Sequence, residues 1–185
     1  MKRISLENST VLITGAAGFI GANLVMELMR MHTNIHIVGI DNMNDYYDVN
    51  IKKWRLSEIE KSSKSHEGLQ WTFIEGTIAD KQLIFELFDK YQPLVVVNLA
   101  AQAGVRYSII NPEAYMESNM IGFYNILEAC RHSYDDKENG VEHLVYASSS
   151  SVYGTNKKIP YSTEDKVDNP VSLYAATKKS NELMA

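Results

Sequence analysis

The sequence predicts an α/β fold, a Rossmann-like, doubly wound parallel sheet with helices on both faces. Short β-branched runs alternate with longer segments of helical periodicity, in the order βαβαβαβαβα. A glycine-rich turn separates the first strand from the first helix, and an aspartate ends the second strand. The chain has 185 residues, 45% of them hydrophobic, so we expect residues 1–185 to form one domain with a substantial core.

The predicted strands are short runs rich in residues of high β-propensity. The first is TVLIT, and the fourth, LVVVNLA, is apolar at successive positions, which indicates burial on both faces of a parallel sheet. The five predicted strands span residues 10–14, 35–40, 71–76, 94–100 and 143–149.

The predicted helices follow these strands. The first has its apolar residues on one stripe, Asp80 is suited to cap the third, and Pro112 is suited to the first turn of the fourth. The five predicted helices span Phe19–Met31 and residues 47–61, 80–91, 112–131 and 172–185.

Composition and charge exclude several classes of function. The formal net charge is -5, and no basic stripe is interleaved with aromatic residues, so no nucleic-acid partner is expected. No apolar run approaches the roughly 18 residues that span a bilayer, so no membrane partner is expected. The single cysteine, Cys130, fits a reducing compartment, and we expect a cytoplasmic protein. His32 and His36 straddle a predicted helix end and strand start, and no metal site is expected.

The turn TGAAGFIGANL predicts a dinucleotide site. It places Gly15, Gly18 and Gly21 between the first strand and the first helix. Glycine permits close approach of the backbone to a pyrophosphate, and the helix N-terminus offers that anion unpaired N–H groups. Asp41 ends the second strand, where a carboxylate accepts hydrogen bonds from ribose hydroxyls and repels a 2′-phosphate. NAD is therefore preferred over NADP.

A Ser–Tyr–Lys set follows the fifth strand. Four serines, from Ser148 to Ser151, lie at its carboxyl end, the edge where open α/β sheets bind ligands. Tyr174 and Lys178 are four residues apart on one face of the last helix. A free tyrosine has a pKa of about 10, and a nearby ammonium favours its phenolate. Tyr174 is thus the predicted proton acceptor for a sugar hydroxyl, which a serine would orient.

These motifs resemble those of the extended short-chain dehydrogenases that act on nucleotide sugars, the NAD-dependent epimerase/dehydratase family. The G-x-x-G-x-x-G spacing is that of the short-chain superfamily. Four stretches are most similar to UDP-glucuronate 4-epimerases: GIDNMNDYYDV, NLAAQAGVRYSIINPEAYMESNMIGFYNILEACR, LVYASSSSVYG and VSLYAATKKSNELMA. The resemblance runs from about Thr10 to the last residue.

The resemblance implies which residues hold NAD and which are catalytic. Ser149, Tyr174 and Lys178 match the catalytic set. Thr77 departs from the family, which usually has there an aspartate that contacts the adenine. The implied NAD-binding positions are Gly15, Gly18, Phe19, Ile20, Gly21, Asp41, Asn42, Thr77, Ile78, Leu99, Ala100, Ala101, Gln102, Asn119, Tyr174 and Lys178.

The reaction implied by the resemblance is a reversible C4 epimerisation of a UDP-sugar through a 4-keto intermediate. A 4,6-dehydratase is the nearest alternative, but those enzymes need an acid pair where this chain has Ser150 and Ser151. These two hydroxyls suit a substrate carboxylate, and with Ser149 and Arg106 they are the predicted substrate-binding residues.

The resemblance also implies partners beyond this chain. Family members continue into a substrate domain that grips UDP, so we expect the chain to be truncated before that domain and to have little activity alone. A non-catalytic NAD-binding domain therefore stays open as an alternative. Homodimerisation through the fourth and last predicted helices is a further expectation from the family.

Overall fold

The structure is a computed structural model that describes residues 4–66, 68–135 and 140–185. Within these ranges the strands are β1 (Ser9–Thr14), β2 (Ile35–Asp41), β3 (Gln70–Glu75), β4 (Val95–Asn98) and β5 (His143–Tyr146). They form one sheet in the order β3-β2-β1-β4-β5, and every pair is parallel. The order reverses at β1, which opens a crevice at the carboxyl ends of β1 and β4.

The helices in the same ranges are numbered along the chain. They are α1 (Phe19–Met31), α2 (Val49–Ser63), α3 (Lys81–Tyr91), α4 (Tyr107–Ile110), α5 (Pro112–Tyr115), α6 (Phe123–His132) and α7 (Leu173–Met184). None of the helices described is both long and apolar enough to cross a lipid bilayer.

The side chains of β1 alternate between two buried hydrophobic layers. Leu12 packs with Ile84 of α3 on one face, whereas Ile13 packs with Val25 of α1 on the other. All four side chains are buried, because the two-residue period of a strand sends successive side chains to opposite faces. The core therefore lies on both faces of the sheet, which confirms the predicted doubly wound α/β fold.

The predicted helix at residues 112–131 is not a continuous α-helix. α5 leads into a π-helical segment, Met116–Gly122, and α6 follows it. Pro112 lies in the first turn of α5, as predicted. Hydrophobic periodicity does not distinguish an α-turn from a π-turn, which is rare and is found frequently at functional sites.

Other boundaries also differ from the predictions. β4 ends at Asn98 and β5 at Tyr146, so both are shorter than expected. Beyond β5 the serine run leaves the sheet and forms a short 3₁₀ helix, Ser150–Tyr153, with Ser149 at its N-cap. α2 begins two residues late because the Asp48 side chain caps it by accepting from the backbone N–H of Asn50. The short helix α4 was not predicted.

Asp80 caps α3, as predicted, since its Oδ1 accepts from the backbone N–H of Leu83 at 3.0 Å. We expect Asp80→Ala to lower the free energy of unfolding by about 1 kcal/mol, measured by urea denaturation. Asp80→Asn, which keeps an oxygen acceptor, is the matched control and should stay close to wild type. An equal loss in both variants would show that the cap is not responsible.

Candidate functional site

The glycine turn after β1 brings three segments of backbone together. Gly15 has a φ of +70°, and a Cβ on it would lie 2.9 Å from the backbone nitrogen of Ala100. A Cβ on Gly21 would lie 2.2 Å from the carbonyl oxygen of Gly15. Only glycine therefore lets α1 and the end of β4 approach the turn this closely.

The N-terminus of α1 presents free N–H groups beside this turn. Its N-cap residue is Gly18, which has no side chain to cap the helix, and its first turn carries no acidic residue. Phe19 and Ile20 in that turn are 71% and 63% exposed. The unpaired donors and the positive end of the helix dipole are suited to an anion such as a pyrophosphate.

Asp41 is held at the end of β2 by three hydrogen bonds. Its Oδ2 accepts from the backbone N–H of Ala17 at 3.2 Å, and its Oδ1 accepts from that of Met43 at 2.9 Å. The third donor is Lys52 Nζ, at 3.1 Å from Oδ1. Because both charged side chains are about 95% buried, the two form a buried ion pair at the groove.

Sequence analysis did not identify Lys52. It lies on α2, where its Nζ also donates to Asn44 Oδ1 at 3.0 Å. A signal was present, because Lys52 precedes the buried Ile59 by seven residues and so shares its stripe on the helix. A lysine at a core position of a helix indicates a buried anionic partner.

The β4 side of the groove is fixed by side-chain bonds to the backbone. The Thr14 hydroxyl donates to Asn98 Oδ1 at 2.6 Å and accepts from the backbone N–H of Ala100 at 3.0 Å. Gln102 also lines the groove, and its buried Nε2 has no hydrogen-bond partner among the described residues. A ligand with acceptor atoms fits this donor.

Many of the predicted cofactor positions line one groove. They are Gly15, Gly18, Asp41, Asn42, Thr77, Ile78, Leu99, Ala100, Ala101 and Gln102. The Thr77 hydroxyl accepts from the backbone N–H of Ala79 at 3.2 Å, so it also orders the turn after β3. Asn119 lies outside this lining, because its side-chain amide bonds to the Gln102 backbone.

The serine run contributes to a separate depression beside β5. Ser149 Oγ accepts from the backbone N–H of Ser151 at 3.2 Å and bonds to the Ser151 hydroxyl at 2.9 Å. Ser148 instead donates to Glu182 of α7 at 2.5 Å. The depression is lined by Ser148, Ser149, Ser150, Val152, Tyr153, Thr163, Asp165, Val167 and Glu182.

α7 carries Tyr174 and Lys178, and it packs against the 3₁₀ helix of the serine run. Ser172 caps α7 by accepting from the backbone N–H of Ala175 at 3.0 Å. Lys178 Nζ donates to the carbonyl oxygen of Ala147 at 2.6 Å. Burial lowers the pKa of Lys178 to about 8. The Tyr174 hydroxyl makes no hydrogen bond to any residue described, so it is available to a ligand.

Arg106 lies apart from the serine run, at the N-terminus of α4. Its side chain is exposed and makes no hydrogen bond or ion pair within residues 4–66, 68–135 and 140–185. It is therefore free to meet an anion, but it does not line the depression that contains Ser150, and neither does Ser151.

The chain is similar to known proteins over almost its whole length. A family model described as GDP-mannose 4,6 dehydratase matches residues 12–185. The chain is 50% identical to Protein CapI of Staphylococcus aureus over 95% of its own length and 48% of CapI. It is 45% identical to UDP-glucuronate 4-epimerase 4 of Arabidopsis thaliana over 99% of its own length and 39% of that protein. The chain thus spans half or less of these curated relatives.

Solved structures share the fold. A tyrosine-to-phenylalanine variant of UDP-glucuronic acid 4-epimerase from Bacillus cereus, in complex with UDP-4-deoxy-4-fluoro-glucuronic acid and NAD, superposes with a TM-score of 0.75. Its sequence is 30% identical, and the match covers 95% of this chain and 50% of that one.

The depressed pKa of Lys178 predicts a specific dependence of stability on pH. Below pH 8 the folded and unfolded chains both carry the proton, and the cost of burying the charge is fully present. As the pH rises from about 8 to 10, the folded chain releases its proton first, so stability rises. We expect wild type to gain on the order of 1 to 2 kcal/mol relative to Lys178→Met over this range.

Urea denaturation of both proteins at pH 8 and pH 10 checks this prediction. Lys178→Met is the reference that removes the contributions of other lysines and tyrosines, which titrate in both proteins. If the difference in the free energy of unfolding between the two proteins were the same at pH 8 and pH 10, the prediction would be wrong.

Proposed function

Because this chain belongs to the GDP-mannose 4,6-dehydratase family of nucleotide-sugar epimerases and dehydratases, we propose that it forms the cofactor-binding and catalytic part of an NAD-dependent 4-epimerase. The proposed reaction is the interconversion of UDP-glucuronate and UDP-galacturonate. The observation that carries it is that the helix of Tyr174 and Lys178, which packs against the serine run, is joined to the Asp41 groove by hydrogen bonds through Asn119.

The donor set of the groove supports NAD as the cofactor. The N-terminus of α1 would hold the pyrophosphate, and Asp41 would accept hydrogen bonds from the adenosine ribose hydroxyls. Asn42, Thr77 and Ile78 would surround the adenosine. Leu99, Ala100, Ala101 and Gln102 would form the opposite wall. NAD, when bound, supplies a reversible hydride acceptor.

Tyr174 and Lys178 would carry out the proton transfer. Tyr174, as phenolate, would take the proton from the C4 hydroxyl of the sugar while the C4–H bond breaks, and would return it when the bond re-forms on the other face. The Lys178 ammonium would stabilise the phenolate and hold the nicotinamide ribose. Ser149 would orient the C4 hydroxyl by a hydrogen bond.

Neutral hydroxyls support epimerisation over dehydration. The resemblance places the acid pair of the dehydratases at positions 150 and 151, where this chain has serines. Asp165 and Glu182 line the same depression, but each carboxylate is paired with a lysine, Lys158 and Lys179 respectively. The two serine hydroxyls can instead bind the sugar carboxylate. The relatives named UDP-glucuronate 4-epimerase support this choice of substrate.

Exposed apolar side chains support the expected homodimer. Ile109 and Ile110 are 81% and 77% exposed, and Ile121 and Tyr124 on the following helical segments are about half exposed. Leu183 on α7 is 76% exposed. Apolar side chains left in contact with solvent are suited to burial against a second copy of the chain.

The cofactor proposal predicts that the chain binds NAD more tightly than NADP, because a 2′-phosphate would lie beside Asp41.

We expect Gly21→Ala to weaken NAD binding about tenfold or more, since the added Cβ must push α1 away from Gly15. Isothermal titration calorimetry measures this loss and the preference for NAD over NADP. Asn23→Ala, on the exposed side of α1, is the control and should bind as wild type. Equal binding of NAD by Gly21→Ala would count against the proposed site.

The reaction is tested in a hybrid protein that joins this chain to the C-terminal half of CapI. We expect the hybrid to convert UDP-glucuronate to UDP-galacturonate. Chromatographic separation of the two nucleotide sugars measures the conversion. Tyr174→Phe should lower turnover by roughly 10² to 10⁴-fold, the contribution of a positioned acid–base group. Tyr134→Phe, at an exposed tyrosine that lines neither the groove nor the serine depression, is the matched control.

Other results identify the alternatives. Loss of water from a nucleotide sugar, detected by mass spectrometry, would indicate a dehydratase. Binding of NAD without turnover of any nucleotide sugar, and without an effect of Tyr174→Phe, would indicate a non-catalytic domain.

A further inference from the structure

Asn119, on the π-helical segment, holds the backbone of Gln102 in the groove wall. It is 1% exposed, and its side chain bonds both backbone groups of Gln102. Asn119 Oδ1 accepts from the Gln102 N–H at 2.8 Å, and Nδ2 donates to the Gln102 carbonyl at 3.0 Å. One amide side chain therefore provides hydrogen-bond partners for both the N–H and the carbonyl group of Gln102, as a neighbouring β-strand would.

The same residue holds α7. Asn119 Nδ2 also donates to Thr177 Oγ1 at 3.1 Å. The backbone carbonyl oxygen of Asn119 accepts from Asn181 Nδ2 at 2.7 Å. The Thr177 hydroxyl in turn donates to the carbonyl oxygen of Tyr174 at 2.8 Å. A continuous set of hydrogen bonds thus runs from Gln102 in the groove to the residue proposed as the proton acceptor.

Two pairs of residues share α7. Tyr174 and Lys178 are four residues apart, and Thr177 and Asn181 repeat that spacing three residues later, so the pairs lie on adjacent stripes. Thr177 and Asn181 are each 2% exposed and face the π-helical segment. Thr177 and Asn181 attach α7 to the π-helical segment, whereas the adjacent stripe carries the proposed reactive groups.

The attachment is polar, and this limits how α7 can move. A hydrogen bond requires a donor–acceptor distance of roughly 2.7 to 3.2 Å and weakens steeply when its angle falls below about 120°, whereas hydrophobic contacts have no directional requirement. A shift of α7 along or about its axis would leave buried donors unpaired, which is unfavourable. The network therefore defines one position of the helix relative to the groove.

We propose that Thr177 and Asn181 are positioning residues that, through Asn119, set where Tyr174 and Lys178 stand relative to the nicotinamide riboside of bound NAD. The inference rests on the proposed function, because it takes the groove to hold NAD. It assigns the two residues no contact with cofactor or substrate. Their effect should therefore be confined to the half of the ligand that reaches α7.

Comparing two ligands tests this by calorimetry. ADP has the groups that would meet the glycine turn and Asp41, whereas NAD adds the nicotinamide riboside. We expect Thr177→Val and Asn181→Leu each to weaken NAD binding about five- to tenfold, the net effect of one hydrogen bond, and to change ADP binding less than about twofold. Thr177→Ser, which keeps the hydroxyl, should restore the wild-type ratio of the two affinities.

Ser180→Ala is the matched control. Ser180 lies on the same helix, and its hydroxyl bonds only to the carbonyl of Ala176 within α7, so its loss should leave both affinities unchanged. Asn181→Ala replaces Asn181→Leu if the larger side chain prevents folding, as judged by circular dichroism.

The outcomes separate this inference from the proposed function. An equal loss of NAD and ADP affinity, or no change in either, would overturn the positioning role and leave the proposal that the groove binds NAD standing. If the wild-type chain bound neither ligand, the cofactor proposal would be wrong, and the positioning role with it.

Discussion

Close approach of backbone segments at the glycine turn is the constraint on which the groove depends. Gly15 adopts a left-handed φ against the end of β4, and Gly21 lets α1 begin directly over the Gly15 carbonyl. The Thr14 hydroxyl joins the ends of β1 and β4 at the same level. The strand order reverses at β1, so these contacts define the crevice and direct the free N–H groups of α1 toward it.

The other end of the site depends on polar side chains. α7 is attached by Asn119 to the π-helical segment and by Lys178 to the carbonyl of Ala147 after β5. Backbone sterics thus shape one half of the site, and a buried hydrogen-bond network shapes the other. The two halves meet at Gln102, whose backbone is bonded to Asn119 and whose side chain lines the groove.

The sequence predicts the fold and the groove well because their signals are local. Alternating periodicities specify strands and helices, and the glycine turn and Asp41 lie at the strand ends that the topology brings together. The π-helical segment was missed because it has the same apolar pattern as an α-helix. Lys52, Thr177 and Asn181 were missed because their partners are distant in sequence, so their role depends on tertiary packing. The roles predicted for the site residues, including Ser149, Tyr174, Lys178 and Arg106, stay predictions.

The buried pair of Asp41 and Lys52 also restricts how this groove can diverge. Removing Asp41 alone would leave the buried Lys52 ammonium without its ion-pair partner, a change that typically lowers the free energy of unfolding by about 3 to 5 kcal/mol. A descendant that came to prefer a 2′-phosphorylated dinucleotide would therefore have to change both positions, or pass through a poorly folded intermediate. Asp41 thus has a structural role beside its proposed contact with the ribose, so an aspartate at this position does not by itself identify which dinucleotide a protein binds.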